Sequence, residues 1–328
     1  MPPAIPLGLQ PLQAAQGQNA DQPARQGPRR VKGLGVRLAL GLLWLLSWLP
    51  LPVLAALGRG LGALLHPLAG SRRRIALRNL ALCFPEMPEA KRRALVKEHF
   101  RWLGRSLLER ALFWYAPPER IKRLIQVEGD IGLAEREYQT TGRATMWLCP
   151  HFVGLDVAGA SILLQQKRPG ASIYQTQSNP LIDAAMKRGR LRLGDAEIFP
   201  RSDSVKPLFR AIKAGRGFFN LPDMDFGAKD AAFVPFFGVS AATLLAPSRM
   251  ARMLNMVVQP VIAETLPGGQ GWRIHFLPPI KDFPTTDAEA DTARLNRIIE
   301  AEILKRPAQY LWVHKRFKTR PPGQPSVY

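Results

Sequence analysis

The stretch His151-Phe-Val-Gly-Leu-Asp156 sets a base five residues before an acid. An imidazole takes up a proton near neutral pH, and a carboxylate on its second nitrogen fixes the ring and stabilises the charge that forms. On one continuous helix a spacing of five turns about 140° around the axis, so the two side chains would not share a face. The pairing works if His151 sits on a strand-to-helix turn and Asp156 lies in the first turns of the helix, reaching back to the ring. The other ring nitrogen is then free to take a proton from a substrate hydroxyl. Ala144 to Cys149 is an apolar run ending at Pro150, which reads as the buried strand such a turn needs.

Other reactive residue types give less. Cys149 alternates into apolar surroundings and reads as core, which argues against it as a covalent nucleophile. Asp223 and Asp225 precede Gly227 and read as a turn. No further ligand pattern accompanies that Asp-x-Asp, and the five histidines lack metal-ligand spacing, so no metal is expected. There is no glycine-rich phosphate loop and no Gly-x-Ser-x-Gly elbow, and no cofactor is expected.

The elements that would position these residues alternate along the chain. Candidate strands are Ala144–Cys149, Ser172–Gln175, Gly217–Leu221, Val257–Ala263 and Trp272–Leu277. Candidate helices are Val157–Gln165, Leu181–Leu191, Ser204–Ala214, Leu244–Leu254 and Ala288–Leu304, the last with a capping-box pattern at Thr286-Asp-Ala-Glu289. This alternation predicts an α/β fold with a mixed, largely parallel sheet flanked by helices.

Before residue 144 the chain changes character. Residues 1–33 are rich in Pro, Gln, Ala and Gly and read as a disordered tail. Residues 34–68 hold an uncharged run, Leu38–Gly58, long enough for a membrane helix but interrupted by Pro50 and Pro52. Basic residues flank it on both sides, so a full span and a helix dipping into one leaflet both fit. Residues 69–328 would form the catalytic domain, opening with basic amphipathic helices. Lys and Arg number 46 against 25 Asp and Glu, a net charge of +21 that calls for an acidic partner: anionic lipid, nucleic acid or an acidic protein. The uncharged run and the lack of a nucleic-acid motif argue against nucleic acid. Two distant cysteines, Cys83 and Cys149, suggest no disulfide framework and a reduced, cytosol-facing compartment.

Five stretches together resemble the late acyltransferases of lipid A biosynthesis, the lauroyl/myristoyl transferases of Gram-negative inner membranes. They are His151 to Asp156; Asn179-Pro-Leu-Ile-Asp183 running into Gly189-Arg-Leu-Arg192; Pro222-Asp-Met-Asp-Phe-Gly227; Phe233-Val-Pro-Phe-Phe-Gly238 with Ala241-Ala-Thr243; and Gln309-Tyr-Leu-Trp-Val-His-Lys-Arg-Phe-Lys-Thr-Arg320. The similarity runs in order from about Leu34 to Tyr328.

The resemblance implies a glycerolipid acyltransferase-like fold with an N-terminal membrane helix. It implies transfer of a fatty acyl chain from acyl carrier protein to a hydroxyl of a lipid A precursor of the Kdo-lipid IVA type. The enzyme would be a monomer in the inner membrane with its catalytic domain on the cytoplasmic side. An acceptor among other glycolipids or lysophospholipids is the alternative. By resemblance His151 and Asp156 are the catalytic pair, and Arg190 and Asp223 fall on the family's other important positions. Arg190 is a candidate donor to the oxyanion, as are backbone N–H groups after His151. Arg188, Arg192 and Asn179 are expected to contact substrate. The basic groups Arg72–Arg74, Lys187–Arg192 and His314–Arg320 fit either glycolipid phosphates or an acidic carrier protein; for His314 itself a structural role is expected. The chain departs from the family in having Asp156 where Glu is frequent, and Gln175 where Arg often follows the tyrosine matched by Tyr174.

Overall fold

The computed structural model describes the backbone of residues 29–328 and the side chains of residues 33–328. The expected tail lies outside the described residues up to position 28. The uncharged run is two helices: α1 (Arg29–Leu46) and α2 (Leu51–Leu68). Pro50 has no N–H to donate and stands as the N-cap of α2, and Pro52 falls in the first turn, where proline costs least. The carbonyls of Ser47 and Leu49, freed by the break, accept from the Arg120 guanidinium.

Helices α3 (Gly70–Cys83) and α4 (Glu89–Tyr115) follow. α2 lies directly on α4 because glycines meet there: a Cβ on Gly62 would fall 2.1 Å from the Phe100 carbonyl oxygen, and one on Gly104 2.3 Å from the Gly58 oxygen. α4 is tied to the sheet by a buried pair, Arg105 Nε to Glu109 Oε1 at 2.7 Å, with Glu109 also accepting from the Trp272 indole at 2.9 Å. Short α5 (Pro118–Arg123) leads to the α/β part.

That part comprises β1 (Ile125–Gly129), α6 (Leu133–Thr141), β2 (Thr145–Leu148), α7 (Leu155–Gln165), β3 (Gly170–Tyr174), α8 (Pro180–Leu191), β4 (Ala196–Pro200), α9 (Lys206–Lys213) and β5 (Gly217–Asn220). It continues through a hairpin, β6 (Ala231–Phe236) and β7 (Val239–Leu244), then α10 (Ala246–Met253), β8 (Val257–Thr265), β9 (Trp272–Phe276) and α11 (Ala288–Lys305). Among the described residues, seven strands form one sheet in the order β1-β9-β8-β2-β5-β3-β4. β8, β2, β5, β3 and β4 are mutually parallel; β9 is antiparallel to β8 and parallel to β1. The mixed, largely parallel sheet expected from the alternation is therefore present.

β2 lies at the centre and is buried throughout. Its side chains alternate between two cores: Met146 and Leu148 pack with Leu208, Phe218 and Val258, while Trp147 and Cys149 pack with Val157, Ile162 and Trp272. Both faces are thus covered, and the strand reads as a continuous apolar run. β1 and β4, at the edges, carry mixed patterns and gave no clear signal. The Phe233–Gly238 motif is the β6–β7 hairpin. Its two turn residues, Phe237 and Gly238, both have positive φ, which matches the right-handed twist of the strands. The cap of α11 is Asp287, one position after the expected Thr286; its carboxylate accepts from the Glu289 and Ala290 N–H groups.

Candidate active site

The site forms where β2 and β5 end side by side. Leu148 and Asn220 are partners in the parallel ladder, and His151 and Asp223 each lie three positions beyond. The two departures match in sequence, Cys149-Pro150-His151 and Leu221-Pro222-Asp223, each proline ending the ladder. This is the carboxyl edge of a parallel sheet, where ligand crevices form.

His151 Nδ1 lies 2.6 Å from Asp223 Oδ1, and the His151 backbone N–H donates to Asp223 Oδ2 at 2.9 Å. One carboxylate thus holds both the ring and its backbone. The Asp223 side chain is fully buried and the His151 ring is about one-sixth exposed (15%). Burial alone would raise the Asp223 carboxyl. The His151 ring, its two hydrogen bonds and the Arg316 guanidinium outweigh burial and hold the pKa below its ordinary value. An ionised Asp223 fixes the proton on Nδ1 and leaves Nε2 as an acceptor.

The C-terminal segment clamps this turn. The Leu311 N–H donates to the His151 carbonyl (2.9 Å), the Val153 N–H donates to the Gln309 carbonyl (2.8 Å), and Phe152 bridges Tyr310. Buried Arg316 donates to the Ala242 carbonyl and Thr243 Oγ1, and Arg320 to the Ser240 carbonyl. His314 Nε2 accepts from the Asp225 N–H at 3.2 Å, and burial drives its pKa down to about 4 against the pull of Asp223. It is a neutral structural histidine, as expected. Of the basic group His314–Arg320, Arg316 and Arg320 are committed to the scaffold. Burial, and secondarily Asp223, pushes the Cys149 thiol well above its ordinary pKa, so it stays protonated and inert.

Asp156 does not hold the imidazole, and the expectation that it does is corrected. It sits in the first turn of α7 and faces α4 and α8. Its Oδ2 accepts from Arg110 Nε at 2.9 Å and its Oδ1 from Arg190 Nη2 at 3.2 Å. Burial opposes ionisation, but the two guanidiniums more than compensate and keep the carboxyl below its usual range. The ring is already occupied by Asp223, which reaches it through strand register. Arg110 was missed from the sequence; its only signal is a base next to Glu109 within an otherwise apolar helix segment.

Asp156 and Arg190 line an apolar groove. Phe113, Trp147, Ile162, Leu163 and Phe219 form walls, and Gly159, Gly170 and Ala171 leave the interior clear. Its apolar lining suits a hydrocarbon chain.

The residues expected to contact substrate divide. Asn179 instead caps α8, its side-chain oxygen accepting from the Leu181 and Ile182 N–H groups. Arg192 instead donates to the Phe113 and Ala116 carbonyls at the end of α4, satisfying groups the helix leaves open. Arg188 is exposed on α8, without a side-chain partner among the described residues. No group of three His, Cys, Asp or Glu side chains among the described residues is placed to hold a metal ion.

Residues 28–319 match the sequence profile described as bacterial lipid A biosynthesis acyltransferase. The chain belongs to this family. It is 38% identical to the lipid A biosynthesis lauroyltransferase of Escherichia coli K12, over 89% of this chain and 94% of that protein. The palmitoleoyltransferase of the same organism is 36% identical over 88% and 92%, and the myristoyltransferase 32% identical over 84% and 83%. This lipid A acyltransferase therefore carries its His-x4-acid motif with the two members engaged by different partners.

Proposed function

We propose that the protein transfers a fatty acyl chain from an acyl carrier protein thioester to a hydroxyl of a lipid A precursor of the Kdo-lipid IVA type. His151 Nε2 takes the hydroxyl proton while Asp223 holds Nδ1–H and stabilises the imidazolium. The alkoxide oxygen bonds to the thioester carbonyl carbon, and the carbonyl electrons move onto oxygen. Arg190, braced by Asp156 on the lining of the groove, faces that oxyanion. On collapse the C–S bond breaks; the thiolate leaves and takes up the proton from His151, leaving an ester and a thiol. Asp156 thus acts through Arg190, and Arg110 acts through Asp156. The acyl chain occupies the groove. The observation that carries this reading is the 2.6 Å contact between His151 and Asp223 at the ends of paired strands.

The enzyme works as a monomer at the cytoplasmic face of the inner membrane. α1 presents Leu34, Leu38, Leu42 and Leu45 to the outside, and α2 presents Val53, Leu57, Leu64 and Leu68. Exposed Trp44 and Trp48 lie at the break between the helices, where aromatic rings favour a bilayer interface. An apolar face of this extent supports burial in lipid.

Mass spectrometry of lipid products from purified protein, an acyl carrier thioester and a lipid A precursor tests the reading. Wild type should add one acyl chain and His151→Ala none, with both equally folded. Transfer only to a lysophospholipid or another glycolipid would replace the acceptor.

A further inference from the structure

The geometry points to Arg201 and Phe226 as a platform that binds an oxyanion of the acceptor headgroup, either a phosphate monoester or a sugar carboxylate, at the edge of the sheet that carries His151 and Asp223. This rests on the acceptor reading above and adds a site to it.

Arg201 is the first residue after β4, and its backbone N–H donates to the Tyr174 carbonyl at the end of β3 (2.9 Å). β3, β4 and β5 are parallel, so Arg201 leaves the sheet on the same edge as Asp223. Phe226 lies three residues past Asp223. Its loop is held rigidly: Asp225 accepts from the Gly227 N–H, the Thr319 N–H and the Thr319 hydroxyl. The Arg201 guanidinium carbon sits 3.5 Å from the centre of the Phe226 ring.

The stacking has a chemical consequence. A guanidinium laid on an aromatic face keeps its N–H donors in its own plane, pointing outward in a fork that matches two oxygens of one anion. Arg201 makes no side-chain hydrogen bond or ion pair with the described residues, and the nearby Asp203 carboxylate accepts from Ser202 instead. Arg192, Arg216, Arg316 and Arg320 by contrast spend their donors on carbonyls or carboxylates. Phe226 is 39% exposed and contributes to no core cluster, which leaves the stack as its visible task. Exposed Lys318, next to Thr319, adds a second positive charge beside the same loop.

Steady-state kinetics of the full-length protein in detergent micelles test the assignment, with an acyl carrier thioester as donor and a phosphorylated lipid A precursor bearing acidic sugars as acceptor. Arg201→Ala should raise the acceptor KM by about 10- to 100-fold, the loss of a charged hydrogen-bonding partner. Donor KM and kcat should stay as in wild type. Arg201→Lys keeps the charge but not the fork and should recover only part of the loss; Phe226→Ala should shift the same parameter in the same direction. With an acceptor stripped of its phosphate, collapse of the difference between wild type and Arg201→Ala identifies phosphate as the bound group. Collapse with an acceptor lacking the acidic sugars identifies the carboxylate. An unchanged acceptor KM in Arg201→Ala overturns the platform, as does an effect confined to donor KM or to the melting temperature. A wild-type protein inactive on every lipid A precursor would overturn the acceptor reading and this inference with it.

Discussion

Asp223 and Asp156 are both ionised acids in short motifs near the same histidine, yet they are built differently. Asp223 is fully buried, reaches His151 through the register of β2 and β5, and gives one oxygen to the ring and the other to the backbone of that residue. Asp156 is about a quarter exposed (23%), stands on a helix, and divides its oxygens between two guanidiniums beside an apolar groove. The first arrangement holds an imidazole in one orientation. The second fixes positive charge on the lining of an apolar groove. Proximity in sequence is a poor guide to which acid serves a histidine; adjacency of strands decides it.

The comparison is tested most severely by removing the base. His151→Ala should lower kcat by at least the 10²–10⁴-fold that general base catalysis supplies, with the melting temperature nearly unchanged. Asp223→Asn keeps the shape but offers an amide to the ring, and should lower kcat within the same range by misorienting the imidazole. Asp156→Asn loses the charge between Arg110 and Arg190 and should cost about 10- to 100-fold. Arg110→Gln should cost less, because Arg190 remains on the carboxylate. Equal losses in Asp223→Asn and Arg110→Gln would dissolve the distinction. In the groove, Gly170→Ala should shift product chains to shorter lengths, read by mass spectrometry; an added Cβ there meets Leu163 at 3.5 Å, ordinary contact, so the chain should still fold.

The smallest effect concerns stability. Burial lowers the pKa of fully buried His99 to about 4, from 6.5, although its bond to the Ala308 carbonyl pulls the other way. Between those values the unfolded chain binds the proton that the folded chain refuses, so stability falls as pH drops from 6.5 towards 4, by about 3 kcal/mol for one group. The melting temperature should fall across that range, and His99→Gln should reduce the fall while leaving the share of His314, whose pKa is likewise lowered to about 4. An unaltered pH dependence in that variant would remove His99 as the cause.

The sequence carried much of this. The apolar runs around Met146, Phe218 and Val258 gave the central strands because those strands are buried on both faces. Pro50 and Pro52 signalled the break that divides α1 from α2. His151 was legible as a candidate base from its residue type and its place at a strand-to-helix turn. Its partner was not, because α7, β3, α8, β4 and α9 separate β2 from β5 in the chain, and only the folded order β2-β5-β3-β4 brings Asp223 alongside. Asn179 and Arg192 drew attention as polar residues in a motif, yet their task is to satisfy helix ends. Arg110 and Arg201 stayed hidden because each depends on one distant contact, with Asp156 and with Phe226.

The central claim is that Asp223, and not Asp156, holds the catalytic ring. Isotope-edited NMR of the His151 imidazole in wild type, Asp223→Asn and Asp156→Asn addresses it directly. The account predicts a ring with a proton held on Nδ1, giving a strongly downfield N–H signal that vanishes in Asp223→Asn and persists in Asp156→Asn. A ring protonated on Nε2 alone, or a signal lost with Asp156 and kept without Asp223, would contradict it.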